Sequence, residues 1–357
     1  SCWIFWWHSM AENRADKSLK VQDMVHLPMR PEGARGCSVI VVSYRTGPIL
    51  IHCLRSVLVQ DGLHQLILVD NGNTTKLMRE VQDLALEFPQ LEILSGHGNV
   101  GFAAACNLGA RRASGQYLLL LNPDCVMPPT TLRHTMSTLV DRPDASVVSI
   151  RVDNIDGSEQ RGGRRNLMTP WTSMVEMFRL DRLAPNHPSF KRLNLHETEI
   201  SGDIVPVQCT TGAFMMMRTE TYRGLGGMDE DYFLHVEDVD FCMRLAKTGQ
   251  RIVYLPRLRI LHLKSTSHVS PVRIEWYKTK SAIIYFRKHF TPAYSDLLLN
   301  LIAFALITRF AYRCLPTTMR WVAKRLLQMG SRDRDAQQLG EIVKLKLAHD
   351  DPPPPGQ

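Results

Sequence analysis

Residues 117–124 read Tyr117-Leu118-Leu119-Leu120-Leu121-Asn122-Pro123-Asp124. A short unbroken apolar run that stops abruptly at polar residues suits a strand buried on both faces of a parallel sheet. The surrounding sequence repeats the pattern. Upstream, residues 102–113 and 76–88 read as helices, and Ile51, Leu54 and Leu58 recur at helical spacing. Between them lie Leu91 to Leu94, Leu66 to Val69 closed by Asp70-Asn71-Gly72, and the β-branched run Ser38 to Tyr44. Strand and helix alternate with short connections, which predicts an α/β fold with a parallel sheet and right-handed crossovers. Ligands of such sheets sit outside the carboxyl ends of the strands. Downstream, residues 150–205 read as loops over the sheet. A strand at 212–217 and a helix over 237–247 follow, the helix stopping at Gly249. Two short strands, Ile252 to Leu255 and Ile260 to Leu263, complete the region.

The chain has 357 residues, 44% of them hydrophobic and 22% charged, which excludes collagen-like, disordered and disulfide-scaffold classes. Lys and Arg number 43 against 35 Asp and Glu. The net charge of +8 fits an anionic partner: nucleic acid, a nucleotide-linked substrate or an acidic membrane. No helix-turn-helix, zinc-finger or RNP pattern supports nucleic acid. The eight cysteines form no CxxC pair and no zinc-spaced array, which points to a reducing compartment, the cytoplasm. The opening Ser1-Cys2-Trp3-Ile4-Phe5-Trp6-Trp7 is too short to span a bilayer, and a true start at Met10 or later is expected. The expected divisions are a leader over 1–36, an α/β domain over 37–270, a helical region over 271–348 and a frayed tail over 349–357.

The apolar run Leu297 to Ile307 is short for a membrane span. Arg309, Arg313, Arg320 and Lys324 share one helical face, although Pro316 divides the segment into two candidate helices. A basic stripe beside an apolar face suits a helix lying on an anionic membrane surface. It also suits a helix packed on the domain with a solvated basic side.

Four groups of residues could carry chemistry. Gly96-His97-Gly98-Asn99-Val100-Gly101 satisfies the dinucleotide fingerprint G-x-G-x-x-G, with Asp124 as the distal acid. That fingerprint normally occupies the first strand–helix turn, and here two strand–helix units precede it. Asn122-Pro123-Asp124 places a carboxylate at a strand end, where it could hold a divalent cation; the same residues are common in turns. Asp229, Glu230, Asp231, Glu237, Asp238 and Asp240 crowd 12 residues around a helix start. Helix capping needs only one or two acids. Such crowding is costly unless a cation or a catalytic task offsets it, and a carboxylate there could act as general base. His262 sits in an apolar strand, where a lone His is ordinarily structural, and its value depends on whether the fold brings it to Asp124.

In order, the segments Val-Ser-Tyr at 42–44, Val-Asp-Asn at 69–71, Gly98 to Phe102, Asn107 with Gly109, and Asn122-Pro123-Asp124 form a recognisable set. Asp156-Gly157-Ser158, Thr211-Gly212-Ala213, Gly226 to Glu230 and Glu237 to Asp240 extend it. The set resembles a family-2 glycosyltransferase with the GT-A fold, and within it the rhamnosyltransferase/galactofuranosyltransferase-type branch. The resemblance covers Ser38 to Ser267.

The resemblance implies that Asp70 contacts the nucleotide base and that Gly98, Asn99, Gly101 and Phe102 form the turn beside the donor. Ser43, Asn71, Asn107 and Asn122 belong to the same donor site. Asp124 would be the metal-binding acid, with Asn122 replacing the first acid of the family's DxD motif. His262 would complete the site for Mg²⁺ or Mn²⁺. Asp238 would be the catalytic base, with Glu237 beside it. Arg45 stands where the family often has Asn, and Met228 replaces the usual Phe. Arg161, Arg164 and Arg165 could close over phosphates or simply be solvated.

The implied activity is inverting transfer of a sugar, foremost L-rhamnose from dTDP-rhamnose, to a lipid-linked or polysaccharide acceptor. The site of action would be the cytoplasmic face of the inner membrane. The alternatives are a UDP-galactofuranose donor, an idle glycan- or membrane-binding relative and, remotely, an NAD-dependent dehydrogenase.

Overall fold

The computed structural model describes residues 34–182, 187–263, 269–291 and 293–327, with side chains as far as Cys314. Residues 1–33 of the expected leader, the segment Lys264 to Ser267, the side chains of Arg320 and Lys324, the predicted helix beyond 327 and the tail lie outside these residues; the last three residues of the expected leader, 34–36, open the first strand instead.

The strands are β1 (Ala34–Ser43), β2 (Leu63–Asp70), β3 (Leu91–Leu94), β4 (Gly115–Leu121), β5 (Cys125–Val126) and β6 (Ala145–Asp153). They continue as β7 (Arg164–Arg165), β8 (Val205–Val207), β9 (Cys209–Thr210), β10 (Phe214–Arg218) and β11 (Arg251–His262). The helices are α1 (Ile49–Leu58), α2 (Thr75–Glu87), α3 (Phe102–Arg112), α4 (Thr131–Asp141) and α5 (Pro170–Phe178). After them come α6 (Thr219–Gly224), α7 (Glu237–Lys247), α8 (Pro271–Phe290) and α9 (Asp296–Leu327).

The main sheet runs in the order β3-β2-β1-β4-β10-β6-β11-β5, with β8 added on β11. From β3 to β4 the strands are parallel, as the alternating pattern predicts. β10 enters antiparallel to β4 and β6, so the sheet is mixed. Strand order reverses between β1 and β4, and the crevice beyond their carboxyl ends is the expected ligand position.

Both faces of the central strands are covered. Val39, Val41, Leu66, Leu68, Leu119, Leu121 and Met216 pack toward one side with residues of α1, α2 and α4. Ile40, Val42, Ile67, Val69, Leu118, Leu120, Met215 and Met217 face the other side with residues of α3, α7 and α8. This alternation about a doubly covered sheet accounts for the continuous apolar runs.

Three predicted boundaries change. Residues 145–153, taken partly as loop, form the central strand β6; Ser149 within it is buried and donates to the Phe214 carbonyl. The two short strands near 252 and 260 are one strand, β11, whose register shifts between Leu255 and Arg259. Pro256 lies in that shift and has no N–H to give the ladder. Pro316 does not divide the C-terminal segment: α9 runs through it for 32 residues.

Candidate donor, metal and base site

The carboxyl edge of β1, β2 and β4 is assembled by register. Ser43 pairs with Asp70, and Val41 pairs with Leu121, one residue before Asn122. Ser43 is fully buried, its hydroxyl 2.8 Å from Thr46 Oγ1 and 2.9 Å from Asn73 Nδ2. Asp70 Oδ1 accepts from the Gly72 and Asn73 amides at 3.0 and 2.8 Å. These bonds hold the turn after β2 in one shape. Arg45 adopts a left-handed φ of 51°, a conformation that Asn takes more readily, which gives a physical reason for Asn at this position in the family.

The glycine-rich turn is tied to the same edge. Asn71 is buried; its Nδ2 donates to the Gly101 carbonyl at 3.0 Å and its Oδ1 accepts from His97 Nε2 at 3.0 Å. Asn99 Oδ1 accepts the Gly101 N–H. Gly101 has φ 91°, and a Cβ there would stand 2.6 Å from the Phe233 carbonyl oxygen, so only Gly fits. Phe102 N donates to that same oxygen at 2.8 Å. Gly98, with φ 65°, borders open space. Asn107 points elsewhere. Its amide accepts from Tyr222 Oη and Met228 N and donates to Met228 O and Glu230 Oε1, which pins the Gly226–Gly227 turn.

β5 and β11 bring His262 to Asp124. His262 pairs with Cys125 across this antiparallel ladder, and Leu263 N donates to the Asp124 carbonyl. Asp124 Oδ1 then lies 3.0 Å from His262 Nε2, both side chains about 10% exposed. Asn122 Nδ2 lies 3.4 Å from the same nitrogen. On the far side of the ring, His262 Nδ1 is 2.6 Å from Gln160 Oε1. A carbonyl oxygen can only accept, so Nδ1 carries hydrogen; Nε2 then meets the carboxylate either with a proton of its own, as an ion pair, or with a lone pair. In the lone-pair form the two acceptors at 3.0 Å repel unless a cation stands between them. One carboxylate and one imidazole therefore fit a divalent cation whose other ligands are phosphate oxygens and water.

Asp124, Cys125 and His262 hold three ligand atoms within 4.8 Å of one another. The Cys125 thiol is the odd member. Burial, and next the Asp124 charge, push it well above the ordinary thiol range, and hard cations prefer oxygen.

The acidic cluster resolves into separate partners. Asp229 pairs with Lys288, and Glu230 takes the Asn107 amide. Asp240 is fully buried and accepts from Arg244 at 2.7 Å, Lys288 at 2.8 Å and His289 at 2.7 Å. Burial raises its pKa, but the hydrogen bonds of His289, Lys288 and Arg244 win and hold it well below the usual carboxylate range. These bonds fasten α7 to α8. Asp231 is exposed, its N–H donating to Asp229 Oδ1, and Glu237 and Asp238 remain.

Asp238 Oδ2 accepts from Arg165 Nη2 at 2.6 Å and Gly212 N at 3.1 Å, and Oδ1 from Val239 N at 2.8 Å. A carboxylate has about four lone-pair sites, so these bonds leave one on Oδ1. Glu237 is buried, and its Oε2 has no hydrogen-bond partner among the described residues. Burial, then the Asp238 charge, push its pKa up to about 8. His235 and Val236, just before the dyad, both have left-handed φ, 66° and 73°. Such conformations cost about 1–3 kcal/mol each and cluster at functional sites.

The metal pair and the base are linked through backbone: Asn122 N donates to Ala213 O, while the preceding Gly212 N donates to Asp238. The arginine cluster does not form a phosphate loop. Arg164 is buried in a pair with Glu159, Arg161 pairs with Glu176, and Arg165 is Asp238's partner. Arg165, Gln160 and Gly212 are the site residues whose roles only the fold brings out.

The model of "Glycosyl transferase family 2" matches residues 38–220. The chain is 26% identical over 257 residues to the N-acetylglucosaminyl-diphospho-decaprenol L-rhamnosyltransferase of Mycobacterium tuberculosis, covering 64% of this chain and 76% of that protein. Among solved structures it is similar to the mannosyltransferase PcManGT of Pyrobaculum calidifontis in complex with GDP-Man and Mn²⁺ (TM-score 0.50, 16% identity, 95% of each chain). It is also similar to GalNAc-T7 with UDP, GalNAc and Mn²⁺ (TM-score 0.51, 15% identity), covering 72% of this chain and about half, 48%, of that one. The shared architecture is the GT-A fold, with Gly96 to Gly101 after β3 rather than after the first strand, so the dehydrogenase alternative loses its support. With a family model spanning just over half of its 357 residues, the chain belongs to glycosyl transferase family 2.

Proposed function

We propose that this enzyme is an inverting, metal-dependent glycosyltransferase that moves L-rhamnose from dTDP-rhamnose to a lipid-linked acceptor in cell-surface glycan synthesis. The observation that carries the metal and the chemistry is the Asp124–His262 pair joined through Gly212–Ala213 to Asp238. The transferred sugar and the lipid-linked acceptor rest on the similarity to the mycobacterial rhamnosyltransferase.

In this reading Asp70 and the Gly98–Phe102 turn hold the nucleotide, with Ser43 and Asn71 fixing their shape. Asp124 and His262 would hold Mg²⁺ or Mn²⁺, which as a Lewis acid would stabilise charge on the departing diphosphate. Asp238 takes the proton of an acceptor hydroxyl on its open Oδ1 position, while Arg165 and the Gly212 amide keep the carboxylate oriented. The acceptor oxygen bonds to the anomeric carbon as the bond to the diphosphate oxygen breaks, so the configuration inverts. A single displacement needs no covalent enzyme intermediate. Incubation with dTDP-rhamnose, UDP-galactofuranose and a prenyl-diphosphate-linked N-acetylglucosamine tests the reading. Rhamnosyl product of inverted configuration is expected; galactofuranosyl product would shift the donor, and no product with either sugar would favour an idle relative.

The C-terminal helix supports membrane contact through its apolar side. Asp296–Cys314 is long and apolar enough to cross a bilayer by length and composition, and little of it is buried. Leu297, Leu301, Phe304 and Tyr312 are exposed. Of the stripe's two residues whose side chains are described, Arg313 is exposed and pairs with Glu275 of α8, and Arg309 is half-buried. We place α9 flat on the cytoplasmic leaflet, apolar side inward. Leu301→Glu with Phe304→Glu is expected to release the protein from anionic vesicles without changing its melting temperature; undiminished vesicle binding would locate the contact elsewhere.

A further inference from the structure

Asp156-Gly157-Ser158 has no part in the site as described, yet a directed hydrogen-bond chain joins it to His262. Asp156 Oδ1 lies 2.6 Å from Ser158 Oγ. A carboxylate accepts, so the Ser158 hydroxyl donates. Ser158 Oγ in turn receives Asn154 Nδ2 at 3.0 Å. That orients the Asn154 amide with its Oδ1 toward Gln160 Nε2, at 3.1 Å. Gln160 must then present Oε1 to the imidazole, where it meets His262 Nδ1 at 2.6 Å. Every link points the same way, and the acceptor at the end is an acid.

The chain is anchored at its middle. Gln160 is buried, its N–H donates to the Val152 carbonyl at 2.8 Å, and its own carbonyl accepts from Gly163 N at 3.0 Å. Asn154 N donates to the Ser158 carbonyl at 2.9 Å. The amide of Gln160 cannot turn over without setting its carbonyl oxygen against that of Asn154.

We propose that Gln160, locked by Asn154, Ser158 and Asp156, is the positioning residue that fixes the His262 ring with hydrogen on Nδ1 and its Nε2 lone pair aimed at Asp124. This inference rests on the reading of Asp124 and His262 as the cation site. Outer-sphere partners of this kind are worth about 10- to 100-fold in metal affinity.

The test is Mn²⁺ binding to the full chain, read from the electron paramagnetic resonance of free and bound Mn²⁺, with ¹⁵N-histidine labelling to detect nitrogen coupling to the ion. Gln160→Leu is expected to weaken Mn²⁺ about 10- to 100-fold and to diminish the histidine coupling. Gln160→Glu, which still offers Nδ1–H an acceptor, is expected to bind close to the wild-type level. Leu binding like wild type, or Glu losing as much as Leu, overturns the positioning role. Asp124→Ala separates the two layers. If it abolishes binding while Gln160→Leu does not, the relay alone is wrong. If neither matters, or wild type binds no Mn²⁺, the cation site itself is wrong and the relay falls with it. Should Gln160→Leu not fold, exposed Ser158→Ala decides: weakened binding supports the relay, and unchanged binding overturns it.

Discussion

Asp238→Asn is expected to lower turnover about 10²- to 10⁴-fold, the usual worth of a positioned general base. An Asn carbonyl oxygen in place of Oδ2 keeps the Arg165 and Gly212 contacts, two of the three that Asp238 makes. Nucleotide binding should therefore change little, while the melting temperature should fall because buried Arg165 loses its counter-charge and the amide nitrogen meets the Val239 N–H. The amide lacks the basicity to take a hydroxyl proton. Unfolding, or retained turnover, would each remove Asp238 as the base. Glu237→Gln is the informative contrast. With its pKa pushed up to about 8, Glu237 carries its proton at neutral pH, and Gln is close to it in shape and charge. Turnover near pH 7 should fall far less than in Asp238→Asn. The stability consequence has a definite sign. The folded protein holds this proton more tightly than the unfolded chain, whose carboxyl titrates near about 4.3. Stability linked to Glu237 is complete below that value and is lost as pH rises toward 8. Glu237→Gln should flatten the decline of melting temperature between pH 4 and 8; an unaltered slope would contradict a raised pKa.

Asp124→Ala should lower turnover about 10²- to 10³-fold, comparable to removing one preorganised group at a developing negative charge. The residual activity should no longer respond to Mn²⁺. The ladder between β5 and β11 is backbone-mediated, so the fold should survive. Cys125→Ser separates two donor sets. Serine can keep a hydrogen bond to the Ala213 carbonyl where the thiol lies 3.7 Å away. If the cation is hard and held by Asp124 and His262, Mn²⁺ dependence persists in Cys125→Ser. Its loss would argue for a thiolate-containing, softer site.

The parallel core of the sheet was legible because its strands are buried on both faces and therefore read as unbroken apolar runs. The same logic hid β6. Ser146 and Ser149 interrupt its apolar run, and the cost of burying Ser149 is offset by bonds to Phe214 O and Thr210 Oγ1 that the sequence does not display. The meaning of His262 was likewise withheld, because an antiparallel ladder between distant segments brings it to Asp124. The six crowded acids read as one functional cluster, whereas α8 supplies Lys288 and His289 to neutralise two of them. A stripe of cations along one helix does not say what each will meet: Arg313, still exposed, pairs with Glu275, while Leu297, Leu301 and Phe304 stay exposed on α9. Residues carried over from the family resemblance divide along similar lines. Asp124 meets His262, Asp238 is tied to the same sheet edge through Gly212 and Ala213, and Asn71 and Ser43 support the turns after β2 and β3. Asn107 instead spends its amide on the Gly226–Gly227 turn, which no local pattern distinguishes from a ligand contact.

The central claim is a nucleotide site that depends on a cation held by Asp124 and His262. Calorimetric titration of the full chain with deoxythymidine diphosphate and uridine diphosphate, first with Mn²⁺ and then with excess chelator, tests it most directly. One nucleotide, the deoxythymidine form, should bind with Mn²⁺ and be released on chelation. Binding that is indifferent to chelator, or absent for both nucleotides, would contradict it.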